Sequence, residues 1–358
     1  MHPIRVLVVD DSAVVRNLLR SVLSSDAEIE VAGTAPNGHL ALSRIPEIQP
    51  DLITLDIEMP GMDGLETLIE IRKHNPALPV IMFSSLTERG ANATLEALAR
   101  GASDYVTKPA GARSPEEARE QVRADLIPKI KSLCTLRVQH AQPVLARPLP
   151  SSRLRSRIEI VAIATSTGGP NALSELIPHL PSDFPVPVVV VQHMPPVFTR
   201  LLAERLHKLS RIAVHEGAEG KAPQPGEAWI APGNHHMVLM REGKEITLGL
   251  NQDPPENCCR PAADVLFSSV ARLYGPNALA VVMTGMGSDG TRGARRIRDA
   301  GGEVIVQDAA SSVVWGMPGS VVAAGQADCI FPLSGIGPEL VRRVCDHRSM
   351  SAACGPAK

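Results

Sequence analysis

Residues 158–173 read IEIVAIATSTGGPNAL: an apolar run interrupted only by Glu159, a short polar stretch ending in two glycines, and a proline that opens a helical pattern. Buried strand, tight turn and helix in that order form the unit from which parallel α/β sheets are built. Pro170 suits the first turn of a helix, where its missing N–H is not needed. Ser166 begins the turn and faces the positive end of that helix, which makes it a candidate nucleophile. A phosphate-binding turn is the competing reading of STGG, but the lysine of a Walker loop is missing.

The surrounding 158–348 repeats the theme. Strand-like runs recur at 158–164, 186–191, 228–230, 278–283, 303–306 and 328–331, with helical stretches at 195–210, 261–274 and 291–300. Residues 237–249 read as a β-hairpin around Glu242-Gly243. The expectation is a doubly wound, mainly parallel α/β domain, whose site lies at the carboxyl ends of the strands. That rule selects His193, which ends PVPVVVVQ, and Asp289, in the glycine-rich loop GMGSDG after strand 278–283. An acid there can hold an imidazole in its working tautomer and stabilise imidazolium. GMGSDG also satisfies G-x-G-x-x-G, with Asp308 further on, so a dinucleotide site at Gly285–Gly290 is the formal alternative. Against it, the acid inside the turn would repel pyrophosphate, and Ser166 and His193 would have no task. His235-His236 follows in a loop and reads as part of a groove rather than a chelating pair.

Residues 1–122 alternate in the same way: IRVLVV, EIEVAG, DLITL, PVIMF and DYVT, each followed by a helical pattern at 12–25, 37–48, 63–75, 87–100 and 114–131. Five such units imply a flavodoxin-like (βα)5 sheet. Asp10-Asp11, Asp56, Ser84 and Lys108-Pro109 fall at its strand ends. Carboxylates gathered there repel one another and call for a hard cation such as Mg²⁺. Helix capping is the plainer reading of Asp10-Asp11 taken alone. Between the halves, 123–157 reads as the end of a helix and then, from Ser132, a proline-, serine- and arginine-rich tether without acids, and 349–358 reads as a tail.

Composition narrows the function classes. At 44% hydrophobic and 21% charged residues the chain is globular. A net charge of −2 and 3% aromatic residues argue against nucleic-acid binding. No apolar run approaches the ~20 residues of a membrane span, and there is no signal peptide, so membrane insertion is not expected and a cytoplasmic location is. Six cysteines without a CxxC spacing fit reduced thiols; metal binding by Cys258-Cys259 is disfavoured.

The pattern DD, DIEMPGMDG, SS and KP over residues 4–122 resembles a two-component receiver domain. The resemblance implies Asp56 as phosphoacceptor, with Asp11, Asp56 and the main-chain carbonyl of Glu58 on Mg²⁺ and Asp10 acting through water. It further implies Ser84 and Lys108 at the phosphoryl oxygens, Tyr105 as the aromatic switch partner, and a histidine kinase as phosphoryl donor. STGGP, QHMPP, IAPGNHHM, RPAADVLF, TGMGSDG and VVWGMPG over about 158–345 resemble the catalytic domain of the chemotaxis protein-glutamate methylesterases, the CheB type. That implies Ser166, His193 and Asp289 as nucleophile, base and orienting acid, an oxyanion hole at Met286, and Thr167 beside it. It implies hydrolysis of γ-glutamyl methyl esters on methyl-accepting chemotaxis receptors, with deamidation of receptor glutamines as a second activity and no cofactor for the esterase. Two positions depart from the family: Cys259, usually His, and Ala309, usually Glu. The receiver is expected to restrain the esterase, so that removing residues 1–131 raises basal activity. The alternative is an output domain that binds a partner without catalysis.

Overall fold

The computed structural model describes residues 2–109, 111–135 and 157–352. The chain divides into two compact units, Met1–Ala141 and Gln142–Lys358. Most of the tether expected from Ser132 to Arg157 lies outside the described residues.

In the first unit β1 (Ile4–Val9), α1 (Ala13–Leu23), β2 (Ile29–Ala35), α2 (Gly38–Ile48), β3 (Leu52–Asp56), α3 (Gly64–His74), β4 (Val80–Ser84), α4 (Glu88–Ala99), β5 (Asp104–Thr107) and α5 (Pro115–Thr135) alternate without interruption. The parallel sheet has the order β2-β1-β3-β4-β5, the flavodoxin-like arrangement expected. Polar residues open the helices: Ser12, Asn37, Asp63 and Thr87 each accept a backbone N–H from the first turn. Helix α5 overruns the expected end at 131, because Leu126, Ile130 and Leu133 continue one buried stripe. Order reverses between β1 and β3, where Val9 pairs with Leu55, so Asp10-Asp11 and Asp56 leave the sheet side by side.

The second unit contains β6 (Ile160–Thr165), α6 (Gly169–Leu176), β7 (Val188–Gln192), α7 (Pro196–Leu209), β8 (Ala213–Glu216), β9 (Glu227–Ile230), β10 (His236–Glu242), β11 (Glu245–Asn251), α8 (Ala263–Tyr274), β12 (Ala278–Val282), α9 (Thr291–Asp299), β13 (Glu303–Gln307), α10 (Met317–Ala323), β14 (Cys329–Phe331) and α11 (Leu333–Ala352). Seven strands form one sheet, ordered β14-β13-β12-β6-β7-β9-β8. Every pairing in it is parallel. Strands β10 and β11 make the expected hairpin, turning at Gly243-Lys244.

Three elements were not expected. Strand β8, AVHE, is short and half polar, as an edge strand can be. Helix α10 is only seven residues long. Helix α11 contains Gly335, Gly337 and Pro338, which read as breakers, yet Ile336, Leu340 and Val344 form a buried i, i+4, i+8 stripe that docks it. It carries the chain to Ala352, past the expected domain end at 348.

The sheet's topology fixes where a site can form. The chain leaves β6 toward β7 and later returns on its other side as β12, so the order switches at β6. A crevice at the carboxyl ends follows at that point. Small residues keep the layers close: an added Cβ on Gly293 in α9 would meet Phe267 Cβ of α8 at 2.5 Å.

Candidate active site

Ser166 leaves β6 between two neighbours. On one side Thr165 pairs with Gln192, so Ser166 and His193 are the next residues on adjacent strands, which run about 4.8 Å apart. His193 N donates to Thr165 O at 3.2 Å. On the other side Ser166 N donates to Thr284 O at 3.0 Å, and Thr165 Oγ1 donates to the same carbonyl at 3.1 Å. Buried Gln192 ties Ser166 to His193: its Nε2 donates to Ser166 O at 3.0 Å and to His193 O at 3.3 Å.

The turn depends on its glycines. Gly168 has φ +78°, and a Cβ there would meet Val313 Cγ2 at 2.6 Å. Gly169 lies against Gln192, where a Cβ would fall 2.0 Å from Oε1. Thr284 Oγ1 donates to Thr167 O at 2.9 Å and accepts from Val314 N at 3.1 Å, pinning the turn to the 313–315 loop. Thr284 N donates to Gln307 Oε1 at 2.8 Å. Gln307 in turn donates to Ser311 O at 2.9 Å. Ala309 lies in this same Asp308–Ser311 turn.

His193 and Asp289 are in direct contact, Nε2 to Oδ2 at 2.8 Å, and both are largely buried. Asp289 Oδ2 also accepts from Ala263 N at 2.6 Å. Its Oδ1 accepts from Asn257 Nδ2 at 2.8 Å, Asp264 N at 3.0 Å and Gly290 N at 3.0 Å. The carboxylate therefore caps α8 while it orients the imidazole. Burial alone would raise its pKa, but His193 and these backbone donors outweigh that and hold it below the ordinary carboxylate value. For His193 burial favours the neutral ring, yet the Asp289 carboxylate and Cys259 prevail and raise its pKa above 6.5. The ring's other nitrogen, Nδ1, faces Cys259 Sγ at 3.6 Å. Among the described residues no hydrogen bond joins Ser166 Oγ to the ring; such contacts commonly tighten only with substrate.

Gly285, beside Ser166, brings in the next loop: its added Cβ would lie 2.8 Å from Ser166 Cβ. Gly285 O accepts from Gly316 N at 3.0 Å and Met317 N at 2.8 Å, which fixes the loop. The Met286 amide, on the loop after Gly285, takes part in no hydrogen bond among the described residues. The dinucleotide alternative loses its footing here, since the amides that open α9 are already used: Gly290 N donates to Asp289 Oδ1, Thr291 N to Ser288 O and Gly293 N to Asp264 Oδ1. The two adjacent histidines part company: His236 is buried with Nε2 at 3.2 Å from Pro254 O, and His235 Nδ1 lies 3.3 Å from Gly233 O. Asn257, Gln192, Thr284 and Gln307 had no motif to announce them.

In the first unit Asp10, Asp11 and Asp56 converge, with one carboxylate oxygen from each lying within 4.8 Å of the others. Lys108 Nζ reaches Asp56 Oδ1 at 2.8 Å and Asp10 Oδ2 at 3.3 Å. Asp56 Oδ2 is buried without a hydrogen-bond partner among the described residues. Burial, with Asp10 adding repulsion against the pull of Lys108, pushes Asp56 up to about 6. These oxygens suit a hard divalent cation. Glu58 is exposed beside them, its N donating to Asp56 Oδ1 at 3.4 Å. Ser84 points elsewhere, donating to Gly90 O at 3.1 Å and accepting from Thr94 Oγ1 at 2.7 Å. Tyr105 is buried, with Lys129 Nζ 5.2 Å from its ring centroid.

Comparison with known proteins agrees with both halves. The family described as "CheB methylesterase" matches residues 161–340, and "Response regulator receiver domain" matches 6–120. A Trichodesmium erythraeum protein named protein-glutamate methylesterase/protein-glutamine glutaminase is 53% identical over 96% of this chain and 100% of its own length. A Nocardioides sp. protein of the same name is 49% identical, covering 99% of each chain. The crystal structure of the Thermotoga maritima CheB methylesterase catalytic domain is 42% identical, covers 52% of this chain and 99% of its own, and superposes with a TM-score of 0.51. With a receiver domain ahead of an esterase domain and relatives matched from end to end, this chain belongs to the CheB methylesterase family.

Proposed function

We propose that the second unit hydrolyses γ-glutamyl methyl esters on the cytoplasmic helices of chemotaxis receptors, with Ser166 as nucleophile, His193 as base and Asp289 as its anchor. The observation that carries this reading is the 2.8 Å His193–Asp289 contact one strand position from Ser166. Ser166 attacks the ester carbonyl as His193 takes its proton; the Met286 amide, with Thr167 beside it, faces the oxyanion. Methanol leaves with that proton, and water activated by the same imidazole releases the glutamate. A glutamine amide fits the same geometry with ammonia as leaving group, which makes deamidation the second activity.

The first unit is the control element, phosphorylated on Asp56 by a chemotaxis histidine kinase. Asp11, Asp56 and the Glu58 carbonyl would hold Mg²⁺, with Asp10 acting through water. When bound, the cation neutralises charge during phosphoryl transfer. Lys108 and Ser84 meet the phosphoryl oxygens, which requires the Ser84 hydroxyl to leave Gly90, and Tyr105 follows that change. No described helix is long and apolar enough to cross a membrane, which fits work on the cytoplasmic side of the receptors. The test is methanol release from methylated receptor membranes. Wild type releases it and Ser166→Ala does not; a wild-type chain that releases none is a binding output.

A further inference from the structure

Residues 256–259 form a two-residue reverse turn. Glu256 N donates to Cys259 O at 3.1 Å and Cys259 N to Glu256 O at 2.9 Å, with Asn257 at φ 52° and Cys258 at φ 62°. Neither central residue is glycine, so the left-handed conformation carries a cost that the surroundings maintain. The turn holds both members of the neighbouring pair. Asn257 Nδ2 donates to Asp289 Oδ1, and Cys259 Sγ sits 3.6 Å from His193 Nδ1. Since Asp289 occupies Nε2, Nδ1 is the nitrogen left to receive the Ser166 proton, and a thiol already faces it.

We infer that Cys259 is a positioning residue for the base, holding the His193 ring by its Nδ1 edge until substrate and Ser166 displace the sulfur. The inference rests on the Ser166–His193–Asp289 reading.

The charged groups around the ring set the direction of the pH effect. Asp289 faces Nε2 and Cys259 faces Nδ1; behind them, Asp264 is tied to Asn257 and to Arg292, and Arg292 pairs with Glu256. Hydrolysis needs neutral imidazole, so kcat/KM rises with pH through the pKa of His193. Cys259 raises that pKa, so the rise in the wild type lies at higher pH than it would without the sulfur.

The full-length chain tests this. Cys259→Ala moves the acidic limb of the kcat/KM profile to lower pH, leaving more of the base neutral on that limb. It also lowers the plateau of kcat/KM by about ten- to a hundredfold, because the free enzyme no longer holds the ring in place for substrate. Cys259→Ser, which retains a hydrogen-bonding group, recovers part of the plateau. Methyl methanethiosulfonate supplies a second measurement. The Cys259 sulfur forms S–S with its methylthio group, the S–SO2 bond breaks, methanesulfinate leaves with the electron pair and the thiol proton passes to solvent. Wild type and Cys258→Ser lose activity and regain it with dithiothreitol; Cys259→Ala keeps the activity it has. An unmoved pH profile in Cys259→Ala, or inactivation that follows Cys258, overturns the inference. Ser166→Ala assayed alongside separates the two failures: activity there removes the triad reading, whereas its loss leaves only the role of Cys259 at stake.

Discussion

Asn257 gives its side-chain amide to Asp289 Oδ1 at 2.8 Å and to Asp264 Oδ2 at 3.0 Å, linking the carboxylate that holds His193, the proposed base, to one that binds the next helix through Gly293 N at 2.7 Å. A hydrogen bond to a charged group contributes about 1.5–3 kcal/mol. Asn257→Ala should therefore lower kcat by about ten- to a hundredfold. Asn257→Asp, which sets a third carboxylate against two, should lower it further. Methanol release at saturating substrate checks both, and equal kcat for the Asp and Ala variants would contradict the link.

Gly285→Ala probes the closeness of the loop to the nucleophile. The new methyl would lie 2.4 Å from Met317 Sδ and 2.8 Å from Ser166 Cβ. Methionine can bend away, but the serine turn cannot. Overpacking costs about 1–3 kcal/mol of stability, and a displacement near 1 Å costs about a hundredfold in rate. Thermal unfolding should show a modest drop and the esterase assay a large one.

Asp56 makes the receiver's stability depend on pH and on cations. Its folded pKa, about 6, lies above the unfolded carboxylate value. The cost of burying the charged carboxylate, with repulsion from Asp10 added, is therefore fully felt above pH ~6, fades as the pH falls, and is gone below pH ~4. Without divalent cations Asp56→Asn should raise the receiver's stability at pH 7 by about 1–3 kcal/mol and match the wild type near pH 4. Adding Mg²⁺ should stabilise the wild type more than the variant, since ligand binding shifts folding by mass action. Denaturant titrations at the two pH values read this directly.

The restraint expected of the receiver can be tested with a better boundary than residue 131, because α5 continues to Thr135. Removing residues 1–135 should raise basal methanol release. A change of ~1.4 kcal/mol in an open–closed equilibrium corresponds to tenfold in the ratio. An isolated second unit slower than the unphosphorylated whole would end the restraint idea.

Strand ends were legible because buried strands of a parallel sheet are near-continuous apolar runs, so the polar residue that ends each one stands out. Ser166, His193, Asp10, Asp11 and Asp56 stand at such ends, whereas Asp289 lies beyond β12 and is marked by its glycine-rich loop. Asn257 was not, because its role depends on a reverse turn whose central residues are not glycine and whose neighbours are two conspicuous cysteines. The closeness of Cys259 to His193 spans 66 residues and leaves no local pattern. Helix α11 was hidden by Gly335, Gly337 and Pro338, whose local preference is outweighed by burial of Ile336, Leu340 and Val344. The Ser84 hydroxyl was assigned to the phosphoryl site, but in this structure it is turned to Gly90, a rotamer choice on which sequence is silent.

The central place of β6 has a consequence for how the enzyme is made. Its partner on one side, β7, follows closely, but the Thr165–Thr284 hydrogen bond joins residues 119 apart. During synthesis the nucleophile and base emerge first and stand on a half-sheet with one bare edge. Pairing over such a separation forms late, after a costly loop closure. A nascent chain that has not yet delivered β12 and the 313–315 loop holds the serine on an unpinned turn, so hydrolytic power arrives only when the last third of the polypeptide docks.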